Sequence, residues 1–127
     1  MQNTFDVQKN ENDELPVPNS WRTKLSEIVS SLADKSLFHS NEIIDLAPID
    51  PAELRRIERN IEDYGDPLLH LSEESWKTSI YRWMGTHWTV LVDLSTTEEP
   101  SSDLVLFLTV HAKGDGYKFM IDSVHVP

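Results

Sequence analysis

Three runs of strand-forming residues in the last forty positions constrain this chain more than anything before them. They are His87–Leu94 (H-W-T-V-L-V-D-L), Leu104–Ala112 (L-V-L-F-L-T-V-H-A) and Tyr117–Val126 (Y-K-F-M-I-D-S-V-H-V). β-Branched and aromatic residues fill all three, and breaker-rich segments separate them, which predicts an antiparallel meander. Along the first run Trp88, Val90, Val92 and Leu94 alternate with His87, Thr89, Leu91 and Asp93, so the even positions form the core face. The second run is apolar on both faces, which makes it central, with helices on one side and something else on the other. Lys113-Gly114-Asp115-Gly116 reads as a glycine hairpin before the third run. A fourth strand is expected over Trp76–Met84, with Ser79, Tyr81 and Trp83 on one side. Gly85-Thr86 would fold it back onto His87–Leu94 as a hairpin.

The residues before this sheet read as helical cover. Trp21, Leu25, Ile28, Val29 and Leu32 make one apolar stripe, predicting a helix from about Trp21 to Asp34 capped by Asn19 or Ser20. Trp21 is expected to pack at the helix start. Asp50-Pro51-Ala52-Glu53 has the form of an Asp-headed capping box with proline at the first helical position. Leu54, Ile57, Ile61 and Tyr64 then recur at helical spacing until Gly65 and Pro67 end the helix. Its outer face carries Arg55, Arg56, Glu58, Arg59, Glu62 and Asp63, and Arg59 is spaced to pair with Glu62 or Asp63. Ser72-Glu73-Glu74-Ser75 can begin a short helical turn. Leu15-Pro16-Val17-Pro18 is an extended lead-in, because each proline pushes its predecessor out of the helical region. Residues 1–15 read as a mobile tail in which Phe5 and Val7 dock lightly. Residues 36–49 are compatible with a strand or a helical turn. The expectation is an α+β fold: two or three N-terminal helices on a four-stranded antiparallel sheet, in one domain over residues 16–127.

With 127 residues and clustered apolar positions, one hydrophobic core is affordable without staples. The absence of cysteine excludes disulfides, thiolate metal sites and a cysteine nucleophile. The N-terminus lacks the basic start and apolar stretch of a signal peptide, and no run approaches a membrane span, so a cytoplasmic location is expected.

Catalytic motifs are sparse. His87, Asp93, Asp103, His111, Asp122 and His125 fall on or beside neighbouring strands, and a His–Asp pair for acid–base work can be drawn from them. A small enzyme or ligand-binding domain with a cystatin-like or NTF2-like cavity, using His111 with Asp122 or His125, is the alternative reading. No nucleophile motif, Walker sequence, dinucleotide fingerprint or spaced metal-ligand pattern accompanies it, so neither a catalytic residue nor a cofactor is expected.

The charge is more telling. Twenty-two acids against eleven Lys and Arg give −11. Residues 41–76 hold ten acids and three arginines, and residues 93–103 hold four acids and no base, so these two segments carry the whole imbalance. Such a field repels nucleic acids and anionic membranes and draws basic partners. Glu62, Asp63 and Asp66 surround a helix C-terminus, where the dipole disfavours anions. Glu73 and Glu74 follow closely. Glu98 and Glu99, between Asp93 and Asp103, occupy a loop expected to be flexible, where folding asks for no paired like charges. These nine acids are the candidate partner-binding residues. An acidic mimic of nucleic acid, occupying a DNA-binding protein, is a further possibility of the same charge.

The run Tyr81–Val110, with the closing I-D-S-V-H-V-P, resembles small acidic bacterial α+β chains: the immunity proteins of contact-dependent growth inhibition systems. The likeness lies in the tryptophan-bearing strand, the V-D-L followed by a Glu-Glu loop, the Ser-Asp-Leu strand start and the terminal Asp122 to Val126. The resemblance implies a protein that binds the C-terminal domain of a cognate toxin in the cytoplasm and blocks its active site. Many such toxins are nucleases with basic surfaces, which an acidic inhibitor would match and reach quickly.

Overall fold

A computed structural model describes residues 6–39 and 43–127. In chain order the elements are β1 (Leu15–Pro16), α1 (Asn19–Ala33), a 3-10 turn (Ser36–Phe38), α2 (Pro51–Tyr64), α3 (Glu73–Thr78), β2 (Ile80–Trp83), β3 (Trp88–Asp93), β4 (Val105–Lys113) and β5 (Gly116–His125). The strands form a single sheet in the order β1-β2-β3-β4-β5, each pair antiparallel. The α+β class and the meander agree with the expectation, but the strand count is five and not four. The additional strand is the Leu-Pro lead-in, where Leu15 pairs with Tyr81 and Pro16 with Ile80. Proline is tolerated there because β1 is an edge strand.

The expected strand over Trp76–Met84 is half helix. Residues 73–78 form α3, Ser79 is extended, and only Ile80–Trp83 joins the sheet. Ser79 makes the junction: its hydroxyl donates to the Ser75 carbonyl at 2.6 Å and accepts the Asp93 amide at 2.9 Å, tying the last turn of α3 to the end of β3. Tyr81 and Trp83 share the inner face as the alternation implies, and the Gly85 turn (φ 94°) closes the β2–β3 hairpin.

The apolar stripe of α1 faces the inner side of the sheet, with Trp21, Leu25, Ile28, Val29 and Leu32 all buried. Each such side chain is worth roughly 1.5–3 kcal/mol of burial. Trp21 is the centre of this layer. Its ring meets Tyr81, Trp88, Tyr117 and Phe119 edge-on, at centroid distances of 5.1, 5.5, 5.4 and 6.2 Å. Edge-to-face contact matches the positive rim of one ring to the negative face of the next.

Neither expected side-chain cap forms. Pro18 stands at the start of α1, and the cap comes from upstream: the Asp6 carboxylate accepts from the Ser20 amide and the Ser20 hydroxyl, each at 3.0 Å. At α2, Asp50 holds the capping position with proline next to it but makes no side-chain cap bond. Gly65 ends α2 in the left-handed region (φ 85°), as its position predicts. Arg56 pairs with Glu53, rather than Arg59 with Glu62 or Asp63. Between the end of α1 and the 3-10 turn, Lys35 takes the left-handed region at φ 68°. A side chain there costs about 1–2 kcal/mol relative to glycine.

The described part of the expected tail does not hang free. The Trp88 indole donates to the Gln8 carbonyl at 2.9 Å, and the Gln8 amide donates to the Tyr81 hydroxyl at 2.8 Å. Arg82 bonds the Glu11 carbonyl, and the Lys9 ammonium lies 5.0 Å from the Trp83 ring centre. Val7 packs on the core as expected, and Phe5 lies outside the described residues. These bonds use the backbone of Gln8 and Glu11, which composition does not display. Of the ambiguous stretch, 36–38 is helical, while 40–42 lie outside the described residues. Leu46 bridges Phe119 in parallel, with Ala47 and Asp45 bonded to the Phe119 backbone, so this segment lies along the free edge of β5.

Candidate functional site

The two acidic segments meet at one end of the sheet, where β3 ends and β4 begins. The connector after α2 runs beside the β3–β4 loop: Leu68 bridges Thr96, Leu69 donates to the Ser95 carbonyl at 2.9 Å, and Thr97 donates to the Pro67 carbonyl at 3.1 Å. The loop expected to be flexible is pinned. Ser95, Thr96 and Ser102 are buried, Thr96 and Glu99 exchange backbone hydrogen bonds, and the Ser102 hydroxyl donates to the Leu94 carbonyl at 2.7 Å. Its serines and threonines read as linker composition, but the Ser95 and Ser102 hydroxyls tie the loop to the Pro100 and Leu94 carbonyls.

Two side chains lock the acids in place. Asp66 accepts from the Thr97 hydroxyl and from the Glu98 amide, the latter at 3.1 Å. Tyr64 donates its hydroxyl to Glu99 at 2.5 Å and accepts the Asp103 amide at 3.1 Å. Asp66, Glu98, Glu99 and Asp103 are thereby assembled around the end of α2, with Glu62 and Asp63 exposed on its last turn. The Thr96 and Thr97 hydroxyls, with the Glu98 amide, hold the Asp66 carboxyl below the usual carboxylate range. Of the two threonines only Thr97 completes a hydrogen bond, so the hydroxyl contribution rests on it; Thr96 Oγ1 is buried and completes none among the described residues. The Glu99 carboxylate pushes the Tyr64 phenol up, because ionising it would place a second anion on the same bond.

Of the nine candidate acids, Glu62, Asp63, Asp66, Glu98, Glu99 and Asp103 fall in this cluster. Asp93 is half-buried at the end of β3 and borders a shallow cleft of about 470 Å³ with Asp103, Val105 and Val126. Glu73 and Glu74 stand apart on α3, and Glu74 is paired with Lys77 at 2.8 Å. Among the described residues, the ion pairs are this one, Lys24–Glu27 and Glu53–Arg56, and none touches the cluster. Among the described residues, the cluster presents anionic groups on backbone-fixed positions with none of them in an ion pair.

Tyr64 escaped the sequence reading because it completes the apolar stripe of α2. Its placement in the last turn, beside Gly65 and among acids, was the available signal. The histidines and Asp122 form no acid–base pair among the described residues. Asp122 is the extra residue of a β-bulge between β4 and β5 and accepts from Thr109 at 2.7 Å. His125 stacks on Phe107 at 4.4 Å, with its Nδ1 2.9 Å from the Ser123 hydroxyl. His111 lies beside His87, ring centres 5.5 Å apart. Among the described residues, no group of three or more His, Asp or Glu could hold a metal ion. No described helix is long and apolar enough to cross a membrane.

Residues 29–127 match a family described as a domain of unknown function, DUF7668. The chain belongs to the DUF7668 family. The matched stretch of this DUF7668 chain opens within α1 and takes in α2, α3, β2 to β5 and the whole acidic cluster. No curated protein and no solved structure matches it.

Proposed function

We propose that this DUF7668 protein binds and neutralises a cognate toxin domain by covering its basic active-site surface, with the acidic cluster at the end of α2 and the β3–β4 loop as the contact. One observation carries the reading: two acidic segments distant in sequence are bonded into a single surface through Asp66–Glu98 and Tyr64–Glu99, with no cation of the chain paired to them among the described residues. Like charges set side by side repel one another, and a basic partner would relieve that repulsion. A preorganised anionic surface speeds encounter with a basic partner and keeps nucleic acid off it. The resemblance to immunity proteins supplies the class of partner, a C-terminal toxin domain, most simply a nuclease, met in the cytoplasm. The binding role asks for no catalytic group or cofactor of its own.

The test is co-purification with the product encoded directly upstream, followed by stopped-flow association. Glu98→Lys with Glu99→Lys, and separately Asp63→Lys, should each slow association about tenfold or more at low salt and flatten its salt dependence. If both leave affinity unchanged at low and moderate salt, the proposal fails.

A further inference from the structure

Beside the acidic cluster lies a cavity of about 260 Å³ between the end of α1, the 3-10 turn and one face of α2. Its wall is apolar, built from Leu32, Ala33, Phe38, Ile61 and Leu68, and its border carries Glu58, Glu62 and Asp66 against the single base Lys35. Glu58, Ile61, Glu62 and Gly65 share one face of α2 by their spacing, so that face supplies both wall and carboxylates. Neither Glu58 nor Glu62 is in an ion pair among the described residues.

We infer that this cavity receives one arginine side chain of a protein partner, its methylenes against Phe38 and Ile61 and its guanidinium among Glu58, Glu62 and Asp66. Arginine fits both halves: the stem is apolar, the head is weakly hydrated, and its planar fork bonds carboxylates in pairs. An uncharged apolar side chain would leave the carboxylates desolvated and unanswered, and an acidic one would be repelled. The inference rests on the docking reading above and adds its anchor: the acidic cluster governs encounter, and the cavity governs residence.

The experiment titrates n-pentylguanidinium into the full chain, with amide shifts as the readout and n-pentanol and n-pentylsulfonate as neutral and anionic counterparts. The guanidinium should bind in the millimolar range, roughly 1–10 mM for so small a ligand. Shifts should be confined to the amides of residues 32–38 and 58–68. Glu62→Gln should weaken it about two- to fivefold, the range of a single solvent-exposed charge pair. Lys35→Asn, which keeps a residue tolerant of the left-handed backbone, should tighten it. Ala33→Met should abolish it by filling the space. Equal binding of the three probes, shifts elsewhere, or indifference to Glu62→Gln would overturn the inference. The same Ala33→Met change is then made against the upstream-encoded partner. If Glu98→Lys with Glu99→Lys slows association while Ala33→Met leaves dissociation unchanged, the anchor is wrong and the docking reading stands. If neither change matters there, the docking reading fails, and the inference falls with it.

Discussion

Trp21 and Tyr64 each complete the apolar stripe of a helix, and they end in opposite surroundings. Trp21 is fully buried among four aromatic rings, on the inner face of the sheet. Tyr64 is half-buried at the surface, and its hydroxyl spans from Glu99 to the Asp103 amide. In the first region apolar area is removed from water, and many small contacts add up. In the second, a few directional bonds hold a polar loop that has no core of its own. The two differ in what they contribute: the Trp21 layer holds the fold together, and the Tyr64 region holds charges in a fixed array.

The largest effect should come from the core. Trp21→Ala is expected to cost about 3–5 kcal/mol, read from urea unfolding, since the surrounding rings cannot collapse into so large a gap. A loss below about 1 kcal/mol would break the contrast, because it would make the layer no more important than a surface contact. Tyr64→Phe should act locally. The unfolding midpoint should scarcely move, while hydrogen exchange at the Asp103 amide, and across residues 97–103, should quicken. A large drop in the midpoint would mean that the loop is part of the core and not a mounted surface. The smallest effect is that of acid on Asp66. Its carboxyl is held down in the folded state by Thr96, Thr97 and the Glu98 amide. Its contribution is therefore complete above the ordinary carboxylate value of about 3.9 and is lost as pH falls through its lower folded value. The Glu98 amide resonance should titrate below about pH 4, later than a free carboxylate would dictate, and Asp66→Asn should remove that transition.

How far the sequence could be read follows from how far each partner lies along the chain. The stripe of α1, Pro51 and Gly65 at the ends of α2, and the alternation of β3 depend on near neighbours, and each appears where the spacing places it. Trp76 lies in α3 and not in a strand, because W-K-T-S-I-Y-R-W suits either, and Ser79, which ties the turn down, acts through Asp93 fourteen residues on. Charge and local placement mark the nine candidate acids as two separate segments, six members of which meet in the fold. Their union was not visible, since Tyr64 and Glu99 lie 35 residues apart and Asp66 and Glu98 32. Likewise the cap of α1 comes from Asp6, fourteen residues before Ser20, and not from the neighbours Asn19 or Ser20.

The edges of the sheet carry one more consequence. β1 is two residues long and includes Pro16, while the outer side of β5 is engaged at Phe119 by Asp45 and Ala47 and at Val124 by Asn60. Among the described residues neither edge offers a foreign strand an uninterrupted ladder of amides and carbonyls, which disfavours strand addition both as a route to aggregation and as a mode of recognition. Recognition through side chains is favoured in its place, and specificity can then be altered by exchanging surface residues while the backbone framework is left as it is.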